Sequence, residues 1–147
     1  MTTSTRTTRP TDPIRRIMRG PVVARVDPSL TLCEVAEELV ADEIGAVLVD
    51  GPHGPAGVLS ERDIITVLSS GGDPDVRQAA EVMSPDIVWG APNESISAVA
   101  RRMCDAGVRH IPIRDGATVV GVVSMRDVLE VLLDGTAECP GTEGTTP

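Results

Sequence analysis

Gly57-Val58-Leu59-Ser60-Glu61-Arg62-Asp63 returns 64 residues later as Gly121-Val122-Val123-Ser124-Met125-Arg126-Asp127. Each copy is a glycine, two apolar residues, a serine, two intervening positions and an aspartate, and each leads into an apolar run. An internal repeat of this order decides the fold, because each copy must be one supersecondary unit. From Pro28 onward the halves align without a gap: Pro28 with Pro92, Val35 with Val99, Ala36 with Ala100. Upstream of Pro28 the offset becomes 65, pairing Met18 with Met83 and Val23 with Val88.

Both copies show the same succession of elements. Val22 through Val26, and Ile87-Val88-Trp89, read as short apolar strands followed by turns at Asp27-Pro28-Ser29 and Ala91-Pro92-Asn93. Thr31 with Glu34 is a capping-box signature. Leu32, Val35, Ala36, Leu39 and Val40 then recur at amphipathic-helix spacing, repeated by Ile96, Val99, Ala100, Met103 and Cys104. Two strands follow in each copy, Ala46–Val49 and Ala56–Leu59, then Ile111–Arg114 and Thr118–Val123. The motif opens a second helix, with Ser60 or Ser124 as N-cap. Its apolar side is Ile64, Ile65, Val67 and Leu68, matched by Val128, Leu129, Val131 and Leu132. Asp73-Pro74 starts a further helical stretch through Val82.

The expected fold is α/β (α+β): tandem β-α-β-β-α repeats packed as a pseudo-twofold pair. A three-stranded unit of about 60 residues is small for independent stability, so two copies are expected to bury each other's exposed faces. The expected organisation is an N-terminal disordered arm at 1–13, repeat 1 at 14–70, a linker with a short helix at 71–81, repeat 2 at 82–134 and a disordered tail at 135–147.

Composition narrows the function. Apolar residues make up 41%, with no Phe, no Tyr and one Trp, so the core is aliphatic. The net charge is -9 and all 13 basic residues are arginine, which argues against nucleic acid as a partner. Cys33, Cys104 and Cys139 lack metal or disulfide spacing, and no metal site is expected. Cys33 and Cys104 fall in helical patterns and read as small core residues. No apolar run is long enough to span a membrane, no signal peptide is visible, and the chain reads as cytoplasmic. No nucleophile–base pair or Walker-type loop is present, so no enzyme activity is expected.

This succession of elements, with the intact Gly-apolar-X-Ser-X-X-Asp motif in both halves and the run Val108-Arg109-His110-Ile111-Pro112-Ile113, resembles the CBS (cystathionine-β-synthase) domain. That domain occurs as a tandem pair called a Bateman module. The resemblance covers about residues 14–134 and is similar to stand-alone bacterial CBS-domain proteins. It implies a non-catalytic regulatory module that binds an adenosine-containing ligand in clefts between the repeats. The implied ligands are AMP, ADP, ATP, NAD or S-adenosylmethionine, regulatory rather than required as cofactors. It implies that Asp63 and Asp127 accept hydrogen bonds from ribose hydroxyls, with Ser60 and Ser124 beside ribose and phosphate. The adenine slot would be lined by Val22 and Ile44 in the first copy, and by Ile87 and Val108 in the second. Arg109 and His110 are the implied phosphate contacts, or else Arg109 is a solvated surface residue and His110 packs at a strand start; their counterparts Gly45 and Ala46 cannot hold a phosphate, so the two clefts are expected to be unequal. The family also implies a homodimer through the repeat helices and a protein partner that reads the ligand state.

Plainer readings stand beside these. Ser-X-X-Asp before an apolar run is also an ordinary helix cap, and capping is compatible with ligand binding. Arg62 and Arg126 read either as phosphate contacts or as surface ion pairs worth under about 1 kcal/mol. Glu37-Glu38 and Arg101-Arg102 occupy equivalent helix positions; they are solvated faces, or else an acidic-on-basic dimer contact. Trp89 either covers an adenine or fills space after its strand. The alternative for the whole chain is a structural interaction module with empty clefts.

Overall fold

The computed structural model describes residues 7–20 and 24–137. Compactness divides the chain into two units. One is Pro21–Val88; the other joins Trp89 onward to the N-terminal segment ending at Gly20.

In the Pro21–Val88 unit the order is β1 (Arg25–Val26), α1 (Leu32–Asp42), β2 (Ala46–Gly51), β3 (Gly54–Ser60), α2 (Glu61–Ser69) and α3 (Ala79–Val82). β2 is central, parallel to β1 and antiparallel to β3. Val47, Leu48 and Val49 on it are all buried, as a strand covered on both faces requires. Leu32, Val35 and Leu39 of α1 and Ile64 and Val67 of α2 close one aliphatic core with Val47 and Leu59. α1 opens on the expected Thr31–Glu34 capping box and ends on Glu43, whose φ of 54° is left-handed.

The other unit holds a single 3-10 turn at Ile14–Arg16, then α4 (Ile96–Ala106), β4 (His110–Asp115), β5 (Thr118–Ser124) and α5 (Met125–Ala137). β4 and β5 pair antiparallel. Ile96, Val99 and Met103 of α4 are fully buried, as are Ile111, Ile113 and Val123. The duplication extends to irregularities: both hairpins shift register at matching places, Val49/Asp50 and Ile113/Arg114. α4 ends on Gly107 at φ 67°, the counterpart of Glu43.

The architecture is thus the expected mixed α/β duplication, with several local differences. The strand expected at Ile87-Val88-Trp89 does not form; its place is taken by a single parallel bridge between Gly90 and Ile113. In the first unit Leu48 N donates to Ala24 O. The counterpart of Leu48 is Pro112, which has no N–H to give. Trp89 O, the counterpart of Ala24 O, instead accepts from Arg102 Nη1 at 2.8 Å.

The helix expected from Asp73 to Val82 is confined to Ala79–Val82. Gln78 is extended there because it bridges Thr31, with Leu32 N donating to Arg77 O and Ala79 N to Leu30 O. Asp73 and Pro74 make a turn, not a helix start.

Within the expected arm 1–13, Pro10 to Pro13 are held in place: Ile96 N donates to Asp12 O, Ser97 N to Pro10 O, and Asp12 is buried. Cys104 is exposed and Cys33 only half-buried, because Met103 and Leu32 take the core-facing positions beside them. Val40, Ile65, Leu68 and Leu129 were expected on apolar core faces and are exposed. The tail from residue 138, Cys139 included, lies outside the described residues.

Candidate functional site

Each motif sits where a hairpin's second strand becomes a helix. Ser60 is extended and caps α2: Asp63 N donates to its Oγ at 3.3 Å. In return Asp63 Oδ2 accepts from Ser60 N at 2.8 Å and from Ser60 Oγ at 2.9 Å. The second copy repeats this: Ser124 N donates to Asp127 Oδ2 and Asp127 N to Ser124 Oγ, both at 3.2 Å. The aspartates are therefore members of the caps, not merely neighbours of them. A carboxylate in the first turn is favoured by the helix dipole, and the amides of that turn favour a bound anion.

The motif glycines have their own reason. A Cβ on Gly57 would lie 2.6 Å from Met83 Sδ and 2.7 Å from Ser84 O. A Cβ on Gly121 would lie 2.9 Å from Arg19 O and 3.0 Å from Met18 Sδ. A Met-X segment runs against each motif strand, and both of its backbone groups pair there. Arg19 and Val122 exchange N–H···O bonds at 2.9 Å, and Ser84 and Val58 do so at 2.9 and 3.0 Å.

The Met-X segments make the copies differ. Arg19 Nη2 lies 3.3 Å from Asp127 Oδ1. Ser84 holds the corresponding place on the other motif strand, paired with Val58, and brings no charge; Asp63 Oδ1 has no hydrogen-bond or ion-pair partner among the described residues. Arg19 was not among the residues expected at the site. The offset-65 alignment that pairs Met18 with Met83 also pairs Arg19 with Ser84, and that was its only signal.

The remaining expected residues divide. Arg109 and His110 are brought to the second motif: Met125 N donates to Arg109 O at 2.7 Å and His110 pairs with Ser124 across the hairpin. Gly45 and Ala46 hold the same places beside Glu61 and Ser60. Arg62 and Arg126 are both exposed. Ile44 and Val108 are half-buried just after α1 and α4, their amides donating to Leu39 O and Met103 O. Ile87 is half-buried on the segment that forms no strand, and Val22 lies outside the described residues. Trp89 is covered by Arg114, whose guanidinium carbon is 4.5 Å from the ring centre. Arg102 is half-buried and committed to Glu94 and Trp89 O, whereas Arg101 is exposed.

Among the described residues no cluster of three or more His, Cys, Asp or Glu is arranged to hold a metal. No helix among them is long and apolar enough to cross a membrane.

Comparison with known proteins gives these motifs a family. The CBS domain family model matches residues 1–70 and 79–134. The CBS domain-containing protein YhcV of Bacillus subtilis is 32% identical over 106 residues, covering 72% of this chain and 76% of YhcV. An archaeal relative from Methanopyrus kandleri is longer, and the matched region spans 55% of it. A CBS domain protein from Pyrobaculum aerophilum, solved with AMP, superposes with a TM-score of 0.72 at 24% identity over 85% of this chain and 98% of that one. A CBS domain pair solved with 5′-methylthioadenosine and S-adenosylmethionine gives 0.75 at 22% identity over 86% and 99%. With the model matching both halves and the duplicated motif intact, the chain belongs to the CBS domain family.

Proposed function

We propose that the chain is a non-catalytic sensor that binds an adenosine-containing ligand at its two Ser-X-X-Asp motifs and passes the bound state to a protein partner. The observation that carries this reading is Asp63: its Oδ2 is spent on the helix cap while its Oδ1 is open beside a helix N-terminus. An ionised carboxylate is a strong acceptor for the paired hydroxyls of a ribose. The nearby half-buried Ile44, and Val108 in the other copy, suit the face of an adenine. Arg109 and His110 beside the second motif suit a phosphate. Relatives in fold solved with AMP, and with methylthioadenosine and S-adenosylmethionine, support the ligand class.

Calorimetry with AMP, ADP, ATP, NAD and S-adenosylmethionine tests it. A ligand at 100 times its Kd stabilises the fold by about 2.7 kcal/mol, so a thermal-shift panel reads the same event. No response to any adenosine compound would refute the sensor reading.

One observation favours the second reading, an interaction module. Ile65 and Leu68 on α2 are 63% and 50% exposed, and Leu129 and Leu133 on α5 are 47% and 64% exposed. We assign these helices to a homodimer contact. Sedimentation of an Ile65→Arg, Leu129→Arg variant checks it: the wild type is expected to run as a dimer and the variant as a monomer.

A further inference from the structure

Resting on the reading of the motif aspartates as ribose acceptors, we propose that Arg19 is a built-in competitor for ribose at Asp127, so that an uncharged adenosine ligand fills the Asp63 motif first.

The two motifs are internal controls for each other. Both aspartates give Oδ2 to the same cap, and both motif strands carry a Met-X segment tied by the same pair of backbone hydrogen bonds. The difference lies in X. Arg19 reaches Asp127 Oδ1, the oxygen that the cap leaves over, whereas Ser84 leaves Asp63 Oδ1 open. Asp127 has a side chain 9% exposed, so its Oδ1 has few other directions from which to be approached. The Arg19 side chain is 66% exposed, so it can swing away at small cost. A ribose diol at Asp127 must displace or share with this guanidinium; a diol at Asp63 meets no such rival. The backbone of Arg19 is pinned by Val122, and Gly20 beside it has no room for a Cβ, which would lie 2.4 Å from Val120 O. The guanidinium is thus tethered within reach of the carboxylate rather than free to diffuse from it.

The penalty is that of one part-exposed ion pair, which predicts roughly a three- to tenfold weaker second site. The probe that isolates this effect is 5′-methylthioadenosine, which is uncharged and so gains nothing from Arg19 by phosphate attraction. Calorimetry on the full chain is expected to show a tighter site weakened in Asp63→Asn and a second, weaker one weakened further in Asp127→Asn. Asparagine retains a capping side chain, so these variants keep their helix starts. Arg19→Ser, which copies the first motif, is expected to tighten the weaker site about three- to tenfold and leave the other unchanged. The reciprocal Ser84→Arg, at an exposed position, is expected to weaken the Asp63 site by a similar factor.

If the aspartate variants bind the probe as wild type does, or wild type does not bind it, the ribose reading fails and takes this inference with it. If binding depends on both aspartates but Arg19→Ser leaves the weaker site unchanged or weakens it further, this inference alone fails. A ligand-free check stands apart from both. Thermal unfolding of Arg19→Ser, Asp127→Asn and the double variant should be non-additive; additive shifts in Tm would show that the pair does not form and would overturn the inference.

Discussion

Gly57 and Ser84 lie so close that a Cβ on Gly57 would sit 2.7 Å from the Ser84 carbonyl oxygen. Gly121 and Arg19 repeat the relationship at 2.9 Å. Neither glycine has a positive φ, so each is required by contact and not by backbone conformation. Gly57→Ala and Gly121→Ala are each expected to cost about 1–3 kcal/mol, the usual range for overpacking where the obstacle is backbone. Urea unfolding of the two variants measures it.

Asp63 is both cap and proposed ligand acceptor, and two substitutions separate the roles. Asp63→Ala is expected to lose ligand affinity and about 1 kcal/mol of stability. Asp63→Asn should keep most of the stability yet bind ligand more weakly, because the charge that strengthens the ribose bonds is gone. Paired calorimetry and thermal unfolding check both; equal ligand affinity in all three proteins would remove Asp63 from the site.

Glu43 holds the left-handed position that Gly107 holds in the other copy, at φ 54° against 67°. A side chain there costs roughly 1–2 kcal/mol relative to glycine in the folded state, partly offset by glycine's greater freedom when unfolded. Glu43→Gly is therefore expected to stabilise the protein by about 0.5–1 kcal/mol, and Gly107→Glu to destabilise it. Both are read from denaturant midpoints.

Glu94 ties the loop before α4 to Arg102, with Oε1 2.8 Å from Nη1. The Arg102 hydrogen bond holds the Glu94 carboxyl below the usual glutamate range, despite partial burial that pushes the other way. A carboxylate whose folded pKa is depressed stabilises fully above its unfolded value and loses that contribution as pH falls through the lower, folded one. Glu94→Gln is thus expected to lower Tm at neutral pH and to converge with wild type as pH falls below about 4. A Tm difference that persists unchanged in that acid range would refute the assignment.

Much of the fold was legible because its signals are local. Thr31 with Glu34, Ser60 with Asp63 and Ser124 with Asp127 are caps spanning three residues, and all three form. The amphipathic spacing of α1 and α4 placed Val35 and Val99 in the core. The misreadings were non-local. Ile87-Val88-Trp89 carries strand composition, but a strand needs a partner's N–H, and Pro112 has none to give. Asp73-Pro74 has the chemistry of a helix start, but Gln78 is held extended by Thr31, 47 positions earlier.

The repeated Gly-X-X-Ser-X-X-Asp motif, by itself, determined the duplication, through its recurrence 64 residues on, and the two helix caps and the family resemblance, through spacing within a few residues. Only the tertiary structure decided that Arg19 stands against Asp127, 108 positions away, and that Ser84 is the residue paired with the other motif strand, at Val58. Such contacts follow from which backbone edges pair, and the Met-X segments pair with strands far from them in the chain. The motif is the same in both copies; the residue laid across it is not.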